Sequence, residues 1–265
     1  MQIFCGTRGR LGNQMFCLAA AHKIAKDNNA ELVGYFQIDE YPKPSEYIRE
    51  KILYKTNYLD SVDTRGLTVY PSDPNTYYVK DFAVPQKDVL LLNSFFQDMR
   101  FIDKDICYNL FGIYDSIKDE ILQIYGDLSN YVCVNVRRGD FLGLGWLGFK
   151  VLNKEFIMEN LEKYFGKSKV LMVSDDIDWC KNNFRDEGFI FADKPCTNKI
   201  EMDLYLQTMC GQGNLISNST FSWWGAYLNP SPNKKVVFSS PWYSKNFLDG
   251  GNCIVPDEWI KVEEG

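Results

Sequence analysis

From residue 131 onward, short apolar runs at 131–136, 169–173, 188–191, 214–217 and 235–238 alternate with stretches of helical periodicity near 153–165, 176–186, 199–210 and 220–228. A strand covered on both faces reads as a continuous apolar run, and parallel pairing needs a long crossover, usually a helix. The alternation therefore predicts a parallel sheet clothed in helices, an α/β architecture. The first part of the chain is less regular. Residues 2–5 read as a strand, 6–13 as a glycine-rich loop, and 14–28 as a helix whose apolar face carries Leu11, Met15, Leu18, His22 and Ala25. Strands follow at 32–36 and 88–93, and a helical stretch covers 103–125. Pro42, Pro44, Pro71 and Pro74 break up the segment 40–85, which reads as loops with one short helix at 45–54. A boundary near residue 128 yields two Rossmann-like domains, 1–128 and 129–265, facing a ligand cleft.

Charge narrows the function classes. With a net charge of -6 and a pI near 5.0, the chain is a poor partner for nucleic acid or an anionic membrane, both of which attract basic surfaces. Any basic site must be local. The chain opens on a strand-like segment and carries no long apolar span, so no leader and no transmembrane segment are expected, and the expected location is the cytoplasm. Eight cysteines without a C-x-x-C pair read as free, mostly buried thiols. His22, the one histidine, falls on an apolar helix face, which excludes histidine-dependent triads.

The chemistry-bearing residues cluster where predicted strands end, and that edge is where open α/β sheets bind ligands. The run 132–136 stops at Arg137, Arg138, Gly139 and Asp140. A guanidinium offers a permanently charged, planar fork of donors suited to phosphate oxygens. The plain alternative is a surface ion pair between these arginines and Asp140, and the Arg-Gly-Asp tripeptide as an integrin ligand lacks a secreted disulfide scaffold to carry it. Gly6, Gly9 and Gly12 occupy a strand-to-helix loop suited to an anion, with a spacing that matches neither the dinucleotide nor the Walker fingerprint. Asp39, near the end of the second strand, keeps a nicotinamide enzyme open.

Ser174 and Asp175 end the strand 169–173, where short polar side chains can accept hydrogen bonds from a base or ribose. Asp176 and Asp178 spell a D-x-D, either a divalent-metal site or a helix start with Ser174 as N-cap and acids in the first turn. Ser217, Asn218, Ser219 and Thr220 open another helix, where hydroxyls and backbone N–H groups form a phosphate cradle. Phe221, Trp223 and Trp224 beside them suit either core packing or a sugar platform.

Three segments together resemble the motifs of the α-1,2-fucosyltransferases, glycosyltransferase family 11: Gly9 to Phe16, Val136 to Phe141, and Asn218 to Asn229. The intervening 201–210 and the closing 256–260 are similar too, so the resemblance covers nearly the whole chain. It implies a GT-B-type fold of two Rossmann-like domains, an acceptor-side first half and a nucleotide-sugar-binding second half. It also implies a GDP-fucose donor, a galactose-terminated glycan acceptor, inversion at the fucose anomeric carbon, no cofactor and no metal. By the same resemblance Arg137, Asn13 and Arg10 serve the reacting centre and Arg137 holds the diphosphate with Arg138. Ser219 and Thr220, flanked by Asn218 and Phe221, bind the donor phosphates, and Ser174 with Asp175 contacts guanine or ribose. Asp140 orients the arginines at the donor.

Peripheral contact with a lipid-linked glycan is compatible with this reading. One departure stands out: the family usually has histidine two residues before the first arginine, and here that residue is Asn135. Asparagine can hold a hydrogen bond but cannot carry a proton near neutral pH. The rival readings are a non-catalytic sugar-nucleotide or glycan-binding protein, a metal-dependent transferase using Asp176 and Asp178, and the nicotinamide oxidoreductase.

Overall fold

A computed structural model describes residues 1–38, 43–72, 79, 83–145, 149–243 and 253–263. The chain divides into two compact units, one of residues 1–112 with 253–255, the other of 113–252 with 256–265. Residues 113–128, assigned from sequence to the first half, thus belong with the second. The reason is packing: helix α4 (Asp115–Tyr125) lies on helix α7 (Lys199–Met209), and Tyr114 meets Tyr205 edge-on at 5.9 Å between ring centres.

The first unit holds β1 (Gln2–Thr7), α1 (Leu11–Asp27), β2 (Glu31–Gln37), α2 (Glu46–Lys51), β3 (Thr68–Tyr70), β4 (Val89–Leu91) and α3 (Lys104–Phe111). Its four strands are all parallel, in the order β2-β1-β4-β3. Helix α1 is buried nearly all round rather than along one stripe. Ala19, Ala20 and Ala21 are fully buried beside Phe16 and Leu18, and their small side chains permit contact with β1, β2 and α3 at once. The single helix expected over 103–125 is two, α3 and α4, because Gly112 adopts an extended conformation.

The second unit holds α4, β5 (Tyr131–Val136), α5 (Lys154–Phe165), β6 (Lys169–Ser174), α6 (Ile177–Phe184), β7 (Ile190–Phe191), α7, β8 (Gly213–Ile216), α8 (Thr220–Tyr227), β9 (Lys235–Ser240) and β10 (Ile260–Glu263). Its six parallel strands run in the order β10-β9-β8-β5-β6-β7. Side chains alternate across β5. Val132, Val134 and Val136 enter a core shared with Phe156 and Ile157 of α5 and Phe184 of α6. Cys133 and Asn135 face the other way, toward Cys210 after α7 and Ser222 of α8. All eight cysteines are free thiols. Among the described residues no helix is long and apolar enough to cross a membrane.

Candidate active site

In both units the strand order reverses beside the strand that comes first in the chain, between β1 and β4 and between β5 and β8. At such a switch the connections leave in opposite directions and open a crevice at the carboxyl ends of the strands. The described sequence-predicted residues follow the strands at or next to these two switches: Arg10 and Asn13 after β1, Arg137, Arg138 and Asp140 after β5, Ser174 and Asp175 at the end of β6, and residues 218–221 after β8.

In the second unit, Arg137 follows β5 and Ser217 follows β8. The Arg137 backbone N–H donates to Ser217 Oγ at 2.9 Å, and that hydroxyl donates to the Asn135 carbonyl at 3.0 Å. This pair of bonds ties the two strand ends across the crevice. The Arg137 guanidinium spans two carboxylates, with Nη2 2.5 Å from Asp140 and Nη1 2.8 Å from Asp175. Arg138 donates its backbone N–H to Asp175 at 2.9 Å and its Nε to Asp176 at 3.1 Å, and its guanidinium lies 3.9 Å from the centre of the Trp179 ring. Gly139 permits this turn, since a Cβ there would lie 2.4 Å from Asp175 Oδ2.

The arginines are therefore not a bare cationic patch: three aspartates surround two guanidinium groups. Ion pair and ligand site are compatible, because each guanidinium carries more donors than these contacts use. What biases the crevice toward an anion is the contrast between its flanking helices. Helix α6 is capped by Asp176, whose Oδ1 accepts the Trp179 N–H at 3.2 Å, and Asp178 adds a second acid to the first turn. Helix α8 starts at Ser219 with no side-chain cap and no acid in its first turn. Its N-terminal end, beside Ser217, carries no acid among the described residues, so its dipole favours a negative ligand there.

Ser174 is not the cap of α6, as its sequence position suggested. Its hydroxyl donates to the Val136 carbonyl at 2.7 Å and accepts the Asp176 N–H at 3.0 Å, bracing β6 against β5. Asn218 donates through Nδ2 to the carbonyls of Ser239, Pro241 and Trp242 at 2.8, 3.1 and 3.0 Å, locking the loops after β8 and β9 together. Its buried Oδ1 accepts no hydrogen bond among the described residues. Ser219, Thr220 and Phe221 are half-buried at the start of α8, while Trp223 and Trp224 are wholly buried core residues rather than sugar platforms.

Asn135 is 5% exposed, and its Oδ1 accepts from Ser222 Oγ at 2.5 Å. The side chain where the family usually has histidine is thus a packing partner of α8. Among the described residues, no three His, Cys, Asp or Glu side chains converge to hold a metal ion. In the D-x-D, Asp176 spends one oxygen on the α6 cap and the other on Arg138.

The remaining predicted residues, Arg10 and Asn13, belong to the first unit. Arg10 is the exposed N-cap residue of α1, and its carbonyl accepts the Asn13 and Gln14 N–H groups at 3.0 and 3.1 Å. Asn13 is half-buried and accepts from Gln97 Nε2 at 3.0 Å. Asp39, which a nicotinamide enzyme would use, lies outside the described residues. Sequence reasoning missed Gln97 and Trp179 and undervalued Ser217. The only local signal was for Trp179, one helical turn after the capping Asp176.

Comparison with known proteins gives the family and the fold type. The model of the family described as glycosyl transferase family 11 matches residues 75–263. The O-antigen biosynthesis glycosyltransferase WbnK of Escherichia coli is 27% identical over 96% of this chain and 98% of its own length. An alpha-1,2-colitosyltransferase of Escherichia coli is 24% identical over 97% of each. Among solved structures, POFUT1 in complex with GDP aligns with a TM-score of 0.51 at 14% identity, over 89% of this chain and 97% of that one. NodZ alpha-1,6-fucosyltransferase soaked with GDP-fucose aligns with a TM-score of 0.50 at 14% identity, over 86% and 92%. The fold is accordingly of the GT-B type, and the activity is that of a glycosyltransferase acting on a glycan. With the family model covering well over half of its length, this chain belongs to glycosyl transferase family 11, the fucosyltransferase family.

Proposed function

We propose that this protein transfers L-fucose from GDP-fucose to the 2-hydroxyl of a terminal galactose, with inversion and without a metal. The observation that carries this reading is the β5/β8 crevice. There Arg137 and Ser217 are joined across the strand switch beside the uncapped start of α8, an anion site suited to the donor diphosphate. In this reading Arg137, Arg138, Ser219 and Thr220 hold the phosphates, Ser174 and Asp175 lie by the nucleoside, and the Asn218 oxygen accepts a donor hydroxyl or N–H. Arg10 and Asn13 of the first unit serve the acceptor.

The acceptor oxygen bonds to fucose C1 as the bond from C1 to the β-phosphate oxygen breaks, and that electron pair leaves on GDP. Two arginines and a helix N-terminus stabilise the charge that develops, which replaces the role a divalent ion would play; each well-placed donor is worth roughly a hundredfold to a thousandfold in rate. The acceptor proton passes to a phosphate oxygen or to water, because Asn135 cannot take it. Support for a metal-free site comes from Asp176, both of whose oxygens are engaged within the protein.

The test is a GDP-release assay with GDP-fucose and a panel of lactose, N-acetyllactosamine and lacto-N-biose, with and without EDTA, followed by linkage determination of the product. Turnover that survives EDTA and yields an α-1,2 product is expected. No transfer to any galactoside, or turnover abolished by chelator, sinks the proposal. A second donor has a specific warrant in the similarity to an alpha-1,2-colitosyltransferase. Colitose is fucose lacking its 3-hydroxyl, and a site that hydrogen-bonds that hydroxyl rejects the deoxy analogue by about 10⁴-fold or more. Comparing kcat/KM for GDP-fucose and GDP-colitose decides between them.

A further inference from the structure

We propose that Gln97 is a positioning residue that fixes the Asn13 amide at the β1/β4 crevice, setting the geometry in which Asn13 engages the acceptor. The inference rests on the reading above that Asn13 serves the acceptor, and it adds a residue that none of the sequence motifs contains.

Asn13 lies in the first turn of α1, just after β1, and Gln97 lies in the loop after β4. Strands β1 and β4 are neighbours although more than eighty residues separate them in the chain. The bond from Gln97 Nε2 to Asn13 Oδ1, 3.0 Å long, therefore crosses the strand switch of the first unit. It occupies the same topological place as the bond between Arg137 and Ser217 in the second. Gln97 is 2% exposed, so its amide is held in one orientation by its surroundings.

Both sides of this bond are braced. On the Asn13 side, Gly9 has φ +68°, a left-handed conformation, and a Cβ there would lie 2.6 Å from Asn13 Nδ2. The Gly9 carbonyl accepts from Gln14 Nε2 at 2.9 Å, closing the loop around the asparagine. On the Gln97 side, Phe96 adopts φ 52°, which costs a non-glycine residue about 1 kcal/mol or more and persists only where the surroundings enforce it. They do so here: Phe96 is wholly buried against Phe101, and its N–H donates to Ser94 Oγ at 2.9 Å. Arg100 clamps Asp98 through Nε and Nη2, and the Met99 N–H donates to the Cys253 carbonyl at 2.9 Å. A strained residue next to a buried glutamine, held from three directions, is more support than a connecting loop needs. It suits a loop that must place one side chain to within a fraction of an ångström, since misplacement by about 1 Å can cost a hundredfold in rate.

The test compares Gln97→Met, the near-isosteric Gln97→Glu, Asn13→Ala and the double variant Asn13→Ala/Gln97→Met. Each is assayed with GDP-fucose and the galactoside that the wild type uses best, alongside its GDP affinity and melting temperature. Both Gln97 variants should lose at least about tenfold in kcat while binding GDP within about twofold of wild type, and the double variant should be no slower than Asn13→Ala alone. The Gln97 side-chain amide protons, which donate to Asn13 Oδ1, should exchange slowly in the wild type by NMR, and that protection should be lost in Asn13→Ala while the protection of backbone amides is kept. That signature distinguishes positioning from a general loss of stability. Wild-type turnover by Asn13→Ala would overturn the role of Asn13 itself. A crippled Asn13→Ala beside fully active Gln97 variants, or additive losses in the double variant, would overturn the role of Gln97 alone. A wild type inactive on every galactoside of the panel overturns both.

Discussion

In the proposed reaction Arg137 carries the heaviest chemical demand of any residue. Its side chain is 20% exposed and pinned between Asp140 and Asp175, so its fork already points along the crevice before a ligand arrives. Replacement by lysine keeps the charge but supplies a point donor where two carboxylates and a phosphate need a plane. Arg137→Ala is expected to lower kcat by about a thousandfold or more in the GDP-release assay, and Arg137→Lys by about a hundredfold. Wild-type turnover in the alanine variant would remove Arg137 from the mechanism. Asn135 makes the opposite prediction. Its Oδ1 satisfies a buried Ser222 hydroxyl, and deleting the acceptor leaves that hydroxyl unpaired, at about 1–3 kcal/mol. Asn135→Ala should therefore reduce the melting temperature clearly while kcat falls less than about tenfold. An unchanged melting temperature with kcat lost a hundredfold would return this position to the chemistry.

Among the helices, α7 carries a titration that can be read from outside. Asp203 is half-buried on it, 13% exposed at its side chain, beside Lys199 one turn earlier. Burial outweighs the lysine and pushes its pKa from 3.8 up to about 6. Because the folded protein binds this proton more tightly than the unfolded chain does, the stabilisation is complete below about pH 4 and disappears as pH rises through about 6. Asp203→Asn should thus be more stable than wild type by about 1–3 kcal/mol at pH 8, with the gap closing by pH 4 in parallel urea titrations. An Asp203→Asn variant less stable than wild type at pH 8, with the deficit closing on acidification, would mean that the ion pair with Lys199 dominates instead. Elements of this size were largely legible in the sequence, because the strands β5, β6, β8 and β9 are apolar runs and the helices between them have clear periodicity. What escaped were β3 and β10, a three-residue strand among prolines and an outer strand with alternating exposure. The cap of α6 was assigned to Ser174 because its place in the sequence allows it; the Val136 carbonyl on the neighbouring strand claims its hydroxyl instead. The charged residues at the strand ends were visible too, but their partners were not. Asp175 with Arg137, Ser217 with Arg137 and Gln97 with Asn13 all depend on strand order, which no local pattern encodes.

Over the whole molecule, the chain leaves the first unit at Gly112 and returns to it only with Cys253, Ile254 and Val255, before adding β10 to the second sheet. Two buried residues five positions apart therefore serve different cores. Ile254 is wholly buried in the first unit, whereas Trp259, 6% exposed, packs 5.6 Å from the Trp223 ring in the second. Truncating either leaves a cavity, at about 2–5 kcal/mol for Ile254→Ala and about 3–5 kcal/mol for Trp259→Ala. If each unit opens as its own cooperative element, the losses should separate spatially. Hydrogen exchange measured by mass spectrometry should quicken in β1 and β4 for Ile254→Ala while β5 and β8 keep wild-type protection, and the pattern should invert for Trp259→Ala. GDP affinity gives a second readout, since the proposed donor site lies in the second unit: Trp259→Ala should weaken it and Ile254→Ala should leave it within about twofold. Equal acceleration across both sheets in either variant would show that the two units unfold as one.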